Sequence, residues 1–173
     1  MKARNLLPMI ATAIVLALTS PGRSSAQTQP EELPVKRVLT LELAKKIAAA
    51  AEAEALKRGA TVVIAVVDDG GHLVVLLRLN DTQVASVEVG IGKARTAAIF
   101  RRPSRVFEEQ IKNGRTASLV LPGATPLQGG VPILVGGKVI GAIGVSGNTP
   151  QEDEDIAIAG AAVTEKPARG GSR

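Results

Sequence analysis

From Leu41 to Arg58 the apolar residues recur at helical spacing. Leu43, Ile47 and Ala50/Ala51 share a face that Glu54 continues, Thr40 is a suitable N-cap and Gly59 a stop. Thr61 to Val67 then changes to an unbroken β-branched run, as a buried strand requires, and Asp68-Asp69-Gly70-Gly71 is turn chemistry. His72 to Leu79 reads as the returning strand. The Ala/Gly/Val-rich segment Thr82 to Phe100 reads as a long helix despite Gly90 and Gly92, and Pro103 ends it. Ser104 can cap a short helix to about Asn113, and Thr116 to Leu121 reads as a strand. After a Gly/Pro-rich loop, Pro122 to Gly130, two more strands, Val131 to Val135 and Lys138 to Val145, flank Gly136-Gly137. Pro150 suits the first turn of a last helix, to about Thr164, with Glu152 to Asp155 at its positive end. Hairpins imply antiparallel pairing and the helices must cover the sheet, so the pattern predicts an α+β domain with about five strands, mostly antiparallel.

Gly141-Ala142-Ile143-Gly144-Val145-Ser146-Gly147 departs from ordinary strand composition. Each glycine costs backbone entropy and offers no side chain to pack. Such a strand is expected where a ligand, a helix or another subunit comes close.

The N-terminus follows secretory-leader grammar. Lys2 and Arg4 precede an apolar stretch, Leu6 to Leu18, too short for a comfortable span, and Ser24-Ser25-Ala26 offers a cleavage site. The expected organisation is a leader at 1–26, a polar tail at 27–38, one domain at 39–165 and a C-terminal tail at 166–173, in a secreted or periplasmic protein. Removing Lys2, Arg4 and Arg23 with the leader lowers the net charge from +5 to +2. The basic pI therefore gives little support for a nucleic-acid partner, and none is expected.

Composition excludes much chemistry. The chain has no Cys, Trp or Tyr, and only one His, His72. No disulfide frame, His/Cys zinc site or stacking platform for single strands can be built within one chain. His72 is the one imidazole available as a metal ligand; it reads either as a ligand or as an exposed hairpin-end residue. Lys93 and Arg95 lie two apart, so one faces the sheet and the other solvent. Lys93 could meet a ligand carboxylate or enter a salt bridge, and Thr96, three on, could bond a ligand or its own helix. Gly129-Gly130 could present backbone N–H groups to an anion, or serve turn geometry. Asp68 and Asp69 suit a turn and cap better than a cation site. Thr116 and Thr125 are weaker oxygen ligands.

Taken in order, Val66-Val67-Asp68-Asp69-Gly70-Gly71-His72-Leu73-Val74, Gly92-Lys93-Ala94-Arg95-Thr96-Ala97-Ala98, Arg102-Pro103-Ser104, Gly129-Gly130-Val131-Pro132-Ile133, Gly141 to Gly147 and Asp153-Glu154 resemble the GlcG/HbpS-type heme-binding family, which includes the C-terminal domain of PduO-like proteins. The resemblance implies a profilin- or PAS-like sheet, a homo-oligomer such as an octamer, and heme or a related tetrapyrrole as cofactor. It implies site residues at His72, Arg78, Lys93, Thr96, Gly129, Gly130 and Pro132, with His72 as the metal ligand. After the second strand this chain reads Arg78-Leu79-Asn80-Asp81-Thr82 where the family has Arg-Met-Asp-Gly-Ala. The expected role is storage, scavenging or sensing of heme, the last with a membrane sensor partner. An enzyme acting on an organic or hydroxy acid, with Lys93 and Asp68 as acid and base, is a second reading. A structural oligomer packed through Val89 to Ala98 is a third.

Overall fold

A computed structural model describes residues 32–165; the expected leader, part of the N-terminal tail and the C-terminal tail lie outside the described residues. Helix α1 (Leu41–Arg58) starts where Thr40 Oγ1 accepts the Leu43 N–H at 3.2 Å and ends at Gly59, which takes the left-handed φ of 62°. Strands β1 (Val63–Asp68) and β2 (Leu73–Arg78) form the first hairpin, α2 (Ser86–Ile99) and α3 (Arg105–Lys112) follow, and β3 (Gly130–Val135) and β4 (Lys138–Ser146) form the second. Helix α4 (Pro150–Ala161) begins with a reciprocal capping box between Thr149 and Glu152.

The four strands lie in the order β2-β1-β4-β3, every neighbouring pair antiparallel. Central β1 is paired on both sides and buried on both faces, as its unbroken β-branched run requires. Val62, Ile64 and Val66 point with Ile143 and Val145 into a core closed by α1 and α4, where Ile47, Ala51 and Ile156 meet them. Ala65, Val67 and Ala142 point the other way, under Ala94, Ala97 and Ala98 of α2. One layer is thick and branched; the other is built almost wholly of alanine and glycine.

The thin layer explains the glycines of β4. A Cβ at Gly144 would run into the Gly90 carbonyl and come within 2.5 Å of the Ala94 nitrogen. One at Gly141 would strike the Val67 carbonyl. Of the three close neighbours offered for this run, the helix is the one found at Gly144; at Gly141 the close neighbour is the paired strand, which was not among them.

Two expectations are corrected. Thr116 to Leu121 is not a fifth strand: Thr116–Val120 forms a short 3-10 helix with Leu119 and Val120 exposed. Arg115 N–H still bonds back to the Gln110 carbonyl, so the chain leaves α3 coiled and reaches no sheet edge. Ser104 does not cap α3 with its side chain. Its hydroxyl donates to the Leu127 carbonyl at 2.6 Å and accepts the Gly130 N–H at 2.8 Å, fastening α3 to the start of β3.

The helix–strand contact predicts a contrast between neighbouring glycines. Gly144→Ala should lose at least the ~1–3 kcal/mol typical of overpacking, because backbone is in the way. Gly90→Ala meets the Val63 side chain tightly, at 3.2 Å, and the Gly144 carbonyl only at ordinary contact, 3.8 Å, and it gains helix propensity of about 1 kcal/mol, so it should be close to neutral. Urea midpoints of the two variants check this; similar losses would refute the backbone-contact account.

Candidate functional site

Helix α2 carries the residues that matter, and its Lys93 and Arg95 side chains leave it in different directions, one buried and one exposed. At the end where α2 finishes, Asp68 Oδ1 accepts the N–H groups of Gly70 and His72, each at 2.9 Å, and closes the first hairpin. A bulge follows: Val66 faces Val75 but Val67 faces Leu73, so β2 carries an extra residue beside His72. His72 is exposed. Its ring lies back over the turn, where a Cβ on Gly70 would come 3.0 Å from Cδ2 and 3.3 Å from Nε2. Glycine at 70 therefore leaves the imidazole uncovered. Arg95 Nε donates to the Gly71 carbonyl at 3.2 Å, and Gly71, at φ 81°, admits the Arg95 stem where any Cβ would collide. Ile99, one turn on, touches both Gly71 and Gly123 positions and is 38% exposed; Leu73 is 46% exposed. An imidazole, a guanidinium and apolar side chains thus share one surface.

Inside the domain, Lys93 Nζ lies 2.8 Å from Asp153 Oδ2 and donates to the Val145 carbonyl at 3.0 Å. The two side chains are 5% and 3% exposed. Asp153 Oδ1 accepts the Asn148 N–H at 3.0 Å. Burial holds the Asp153 carboxyl above the usual aspartate range, against the pull of the Lys93 ammonium and of the Asn148 and Gly147 N–H groups. Gly129, at φ 120°, passes so close that a Cβ would stand 3.0 Å from Lys93 Nζ and 2.8 Å from the Val145 carbonyl. A Cβ on Gly130 would strike the Lys93 carbonyl.

The seven residues expected to share a site therefore occupy four places. His72 is at the hairpin end. Arg78, at the far end of β2 and about 20 Å away by strand length, donates to the Thr82 carbonyl at 2.9 Å and ties down the loop into α2. Lys93, Thr96, Gly129 and Gly130 are interior. Thr96 donates to the Gly92 carbonyl at 2.8 Å and accepts the Thr125 N–H at 2.7 Å, so it holds the 121–129 loop on the helix. Gly130 gives its N–H to Ser104 and is not free to join an anion nest. Pro132 is half-buried in an apolar groove beside Arg101, Arg102 and Ile158. Thr116 is exposed on the 3-10 helix and Thr125 is half-buried. Asp68 and Lys93, the acid–base pair of the enzyme reading, sit towards opposite ends of β1 and have different partners.

The sequence left Lys93 between a ligand carboxylate and a salt bridge, and the structure forms the salt bridge, with Asp153; which of Lys93 and Arg95 faces outward was left open by their spacing. The signal was present: Gly90, Ala94, Ala97 and Ala98 mark the face of α2 that meets the sheet, Gly92 and Thr96 meet the 121–129 loop, and Arg95 falls off both faces. Asp153 read as a helix-dipole acid because nothing local distinguishes it from Glu152.

The fold is an α+β domain with an antiparallel sheet between unequal helical layers. The chain belongs to the HbpS-like family, whose model, described as haem degrading protein HbpS-like, matches residues 39–162. Protein GlcG of Escherichia coli K12 is 46% identical over 114 residues, covering 66% of this chain and 85% of GlcG. A structure of a double mutant of Streptomyces reticuli HbpS superposes with a TM-score of 0.70 at 35% identity, covering 83% of this chain and 98% of that one. A PduOC:heme complex superposes with a TM-score of 0.66 at 25% identity, covering 73% and 94%.

Replacing Lys93 by Met should cost about 3–5 kcal/mol at neutral pH, because it strands a buried carboxylate. The loss should depend on pH. Without the ammonium the folded-state pKa of Asp153 rises further above its unfolded value near ~3.9, so its protonated form stabilises the fold in acid and that stabilisation is lost as pH rises. The gap between wild type and Lys93→Met should therefore be narrower at acidic pH than at neutral pH. An equal gap at both would show that Asp153 is not the charge left behind. Lys93→Met with Asp153→Asn should recover part of the loss.

Proposed function

We propose that this protein binds heme or a related tetrapyrrole, as an exported homo-oligomer, for storage, scavenging or sensing. The observation that carries the reading is the surface at the end of α2. There the one imidazole of the chain is uncovered by glycine at 70, and Arg95 is held beside it by the Gly71 carbonyl. Those groups fit heme: His72 would ligate iron, Arg95 would meet a propionate, and Leu73 and Ile99 would take the apolar edge of the ring. Kinship with HbpS-like proteins and similarity to a PduOC:heme complex support the ligand class. Such a surface covers one side of a macrocycle, and a second copy of the chain would cover the other. A membrane sensor partner belongs to the sensing variant of this role.

Titration with hemin should give a saturable Soret band. His72→Ala should shift that band and raise Kd roughly tenfold, as losing about 1.4 kcal/mol of coordination requires. Arg95→Gln should weaken binding with little shift in the band, since it leaves the axial ligand in place. Both side chains are exposed, so both variants should keep wild-type stability. Absence of a Soret band in the wild type would refute the heme reading; unchanged spectra and affinities in both variants would move the site elsewhere.

Export and assembly share one measurement. Native mass spectrometry of protein recovered from the periplasm or medium should give a protomer beginning at Gln27, in an assembly larger than a dimer. An intact N-terminus in the membrane fraction would refute the cleavage, and a monomer mass would refute the assembly.

A further inference from the structure

At the opposite end of α2 lies a cavity of about 210 Å³, below the ~300–1,000 Å³ usual for sites that take drug-sized molecules. Ser86, Val89 and Lys93 line it from one stripe of the helix, Leu127 and Pro150 add apolar wall, and Asp153 faces Lys93. Ser86 is fully buried, and its hydroxyl is the one buried side-chain polar atom among the described residues that has no hydrogen-bond partner. Leaving such a group unpaired costs about 1–3 kcal/mol, so its presence needs a reason.

The hydrogen-bonding account of the walls specifies what would satisfy it. Lys93 has three N–H donors and spends two, on Val145 and Asp153. Ser86 has an unspent O–H. The first turn of α2 has no side-chain cap, but the Ser86 and Val87 N–H groups are taken by the Gln83 and Val84 carbonyls, so the side chains carry the site. The acids nearby are already engaged. Asp153 is matched by Lys93, and Glu108 accepts the Gln128 N–H and pairs with Lys112 at 2.6 Å. The unspent groups buried in the wall are the Ser86 hydroxyl and one Lys93 N–H, beside apolar side chains; Gln83 and Asn148, whose amides donate or accept, stand at the exposed rim. We infer that this cavity is a second ligand site, for a short-chain aliphatic carboxylate, whose oxygens would take the Ser86 hydroxyl and the third Lys93 proton. This site is independent of the heme surface, and its test does not require heme to bind.

Propionate is the probe, with propionamide as a neutral isostere. Isothermal titration at fixed ionic strength should give saturable propionate binding with Kd of about 1 mM or tighter, and at least roughly tenfold weaker binding of propionamide. Ser86→Ala should weaken propionate about tenfold. It should also raise the melting temperature of the ligand-free protein, because it removes an unsatisfied buried hydroxyl. A serine with a merely structural role would give the reverse: a lowered melting temperature and unchanged affinity. That pattern would overturn the inference. So would absence of saturable propionate binding, or equal binding of propionate and propionamide.

Discussion

Helix α2 rests on β4 with backbone against backbone, and most of the molecule follows from that contact. Gly144 has the Gly90 carbonyl and the Ala94 nitrogen where a side chain would be, and Gly130 has the Lys93 carbonyl. A layer this thin is filled mainly by methyl groups, those of Ala65, Ala94, Ala97 and Ala142, with Val67 the one larger side chain in its buried centre. Each removes little apolar surface from water compared with the Ile and Val residues on the other side of the sheet. Close approach compensates through many short dispersion contacts, individually small and numerous when surfaces are smooth. The same closeness leaves the Lys93 side chain only 5% exposed. Its stem runs along the sheet end, and its ammonium must find partners inside, which Asp153 and Val145 supply.

That constraint separates what could be read from the chain from what could not. Turn and cap chemistry is local, so Thr40, Gly59, the Asp68–Gly71 turn and the Pro150 helix start could be placed from a few residues each. The glycines of β4 signalled close approach without naming the neighbour, because the neighbour is fifty residues away. Thr116 to Leu121 shows the opposite failure. Its β-branched and apolar residues suit a strand, but a strand needs a partner edge, and the short tether to α3 keeps the segment coiled. Lys93 and Asp153 are sixty residues apart and meet only once α2 and α4 lie on their opposite faces of the sheet. Which of Lys93 and Arg95 faces inward could not be decided from their spacing alone. The small residues around them decide that choice, and weighing the whole helix face would have resolved it.

The two ends of α2 also differ in dielectric, which divides the chemistry they can support. At the His72 end the ionisable groups are exposed, so charge is well solvated and a guanidinium is available to an incoming anion at little desolvation cost. At the Lys93 end the charges are buried, and a buried pair stabilises the fold weakly because desolvation consumes most of the attraction. Replacing it with aliphatic side chains is often harmless in other folds, so strength is a poor explanation for keeping it here. What such a pair does provide is position. Two spent donors and a carboxylate anchored by Asn148 leave the third Lys93 proton one direction in which to point, with the ammonium unable to swing. Glycine at 129 is part of this fixing, since any side chain there would press on Nζ and displace it. A fixed donor in a water-poor space discriminates between an anion and its neutral isostere far more sharply than a mobile surface lysine, whose attraction water screens. The buried pair is thus better understood as an orienting device than as a source of stability.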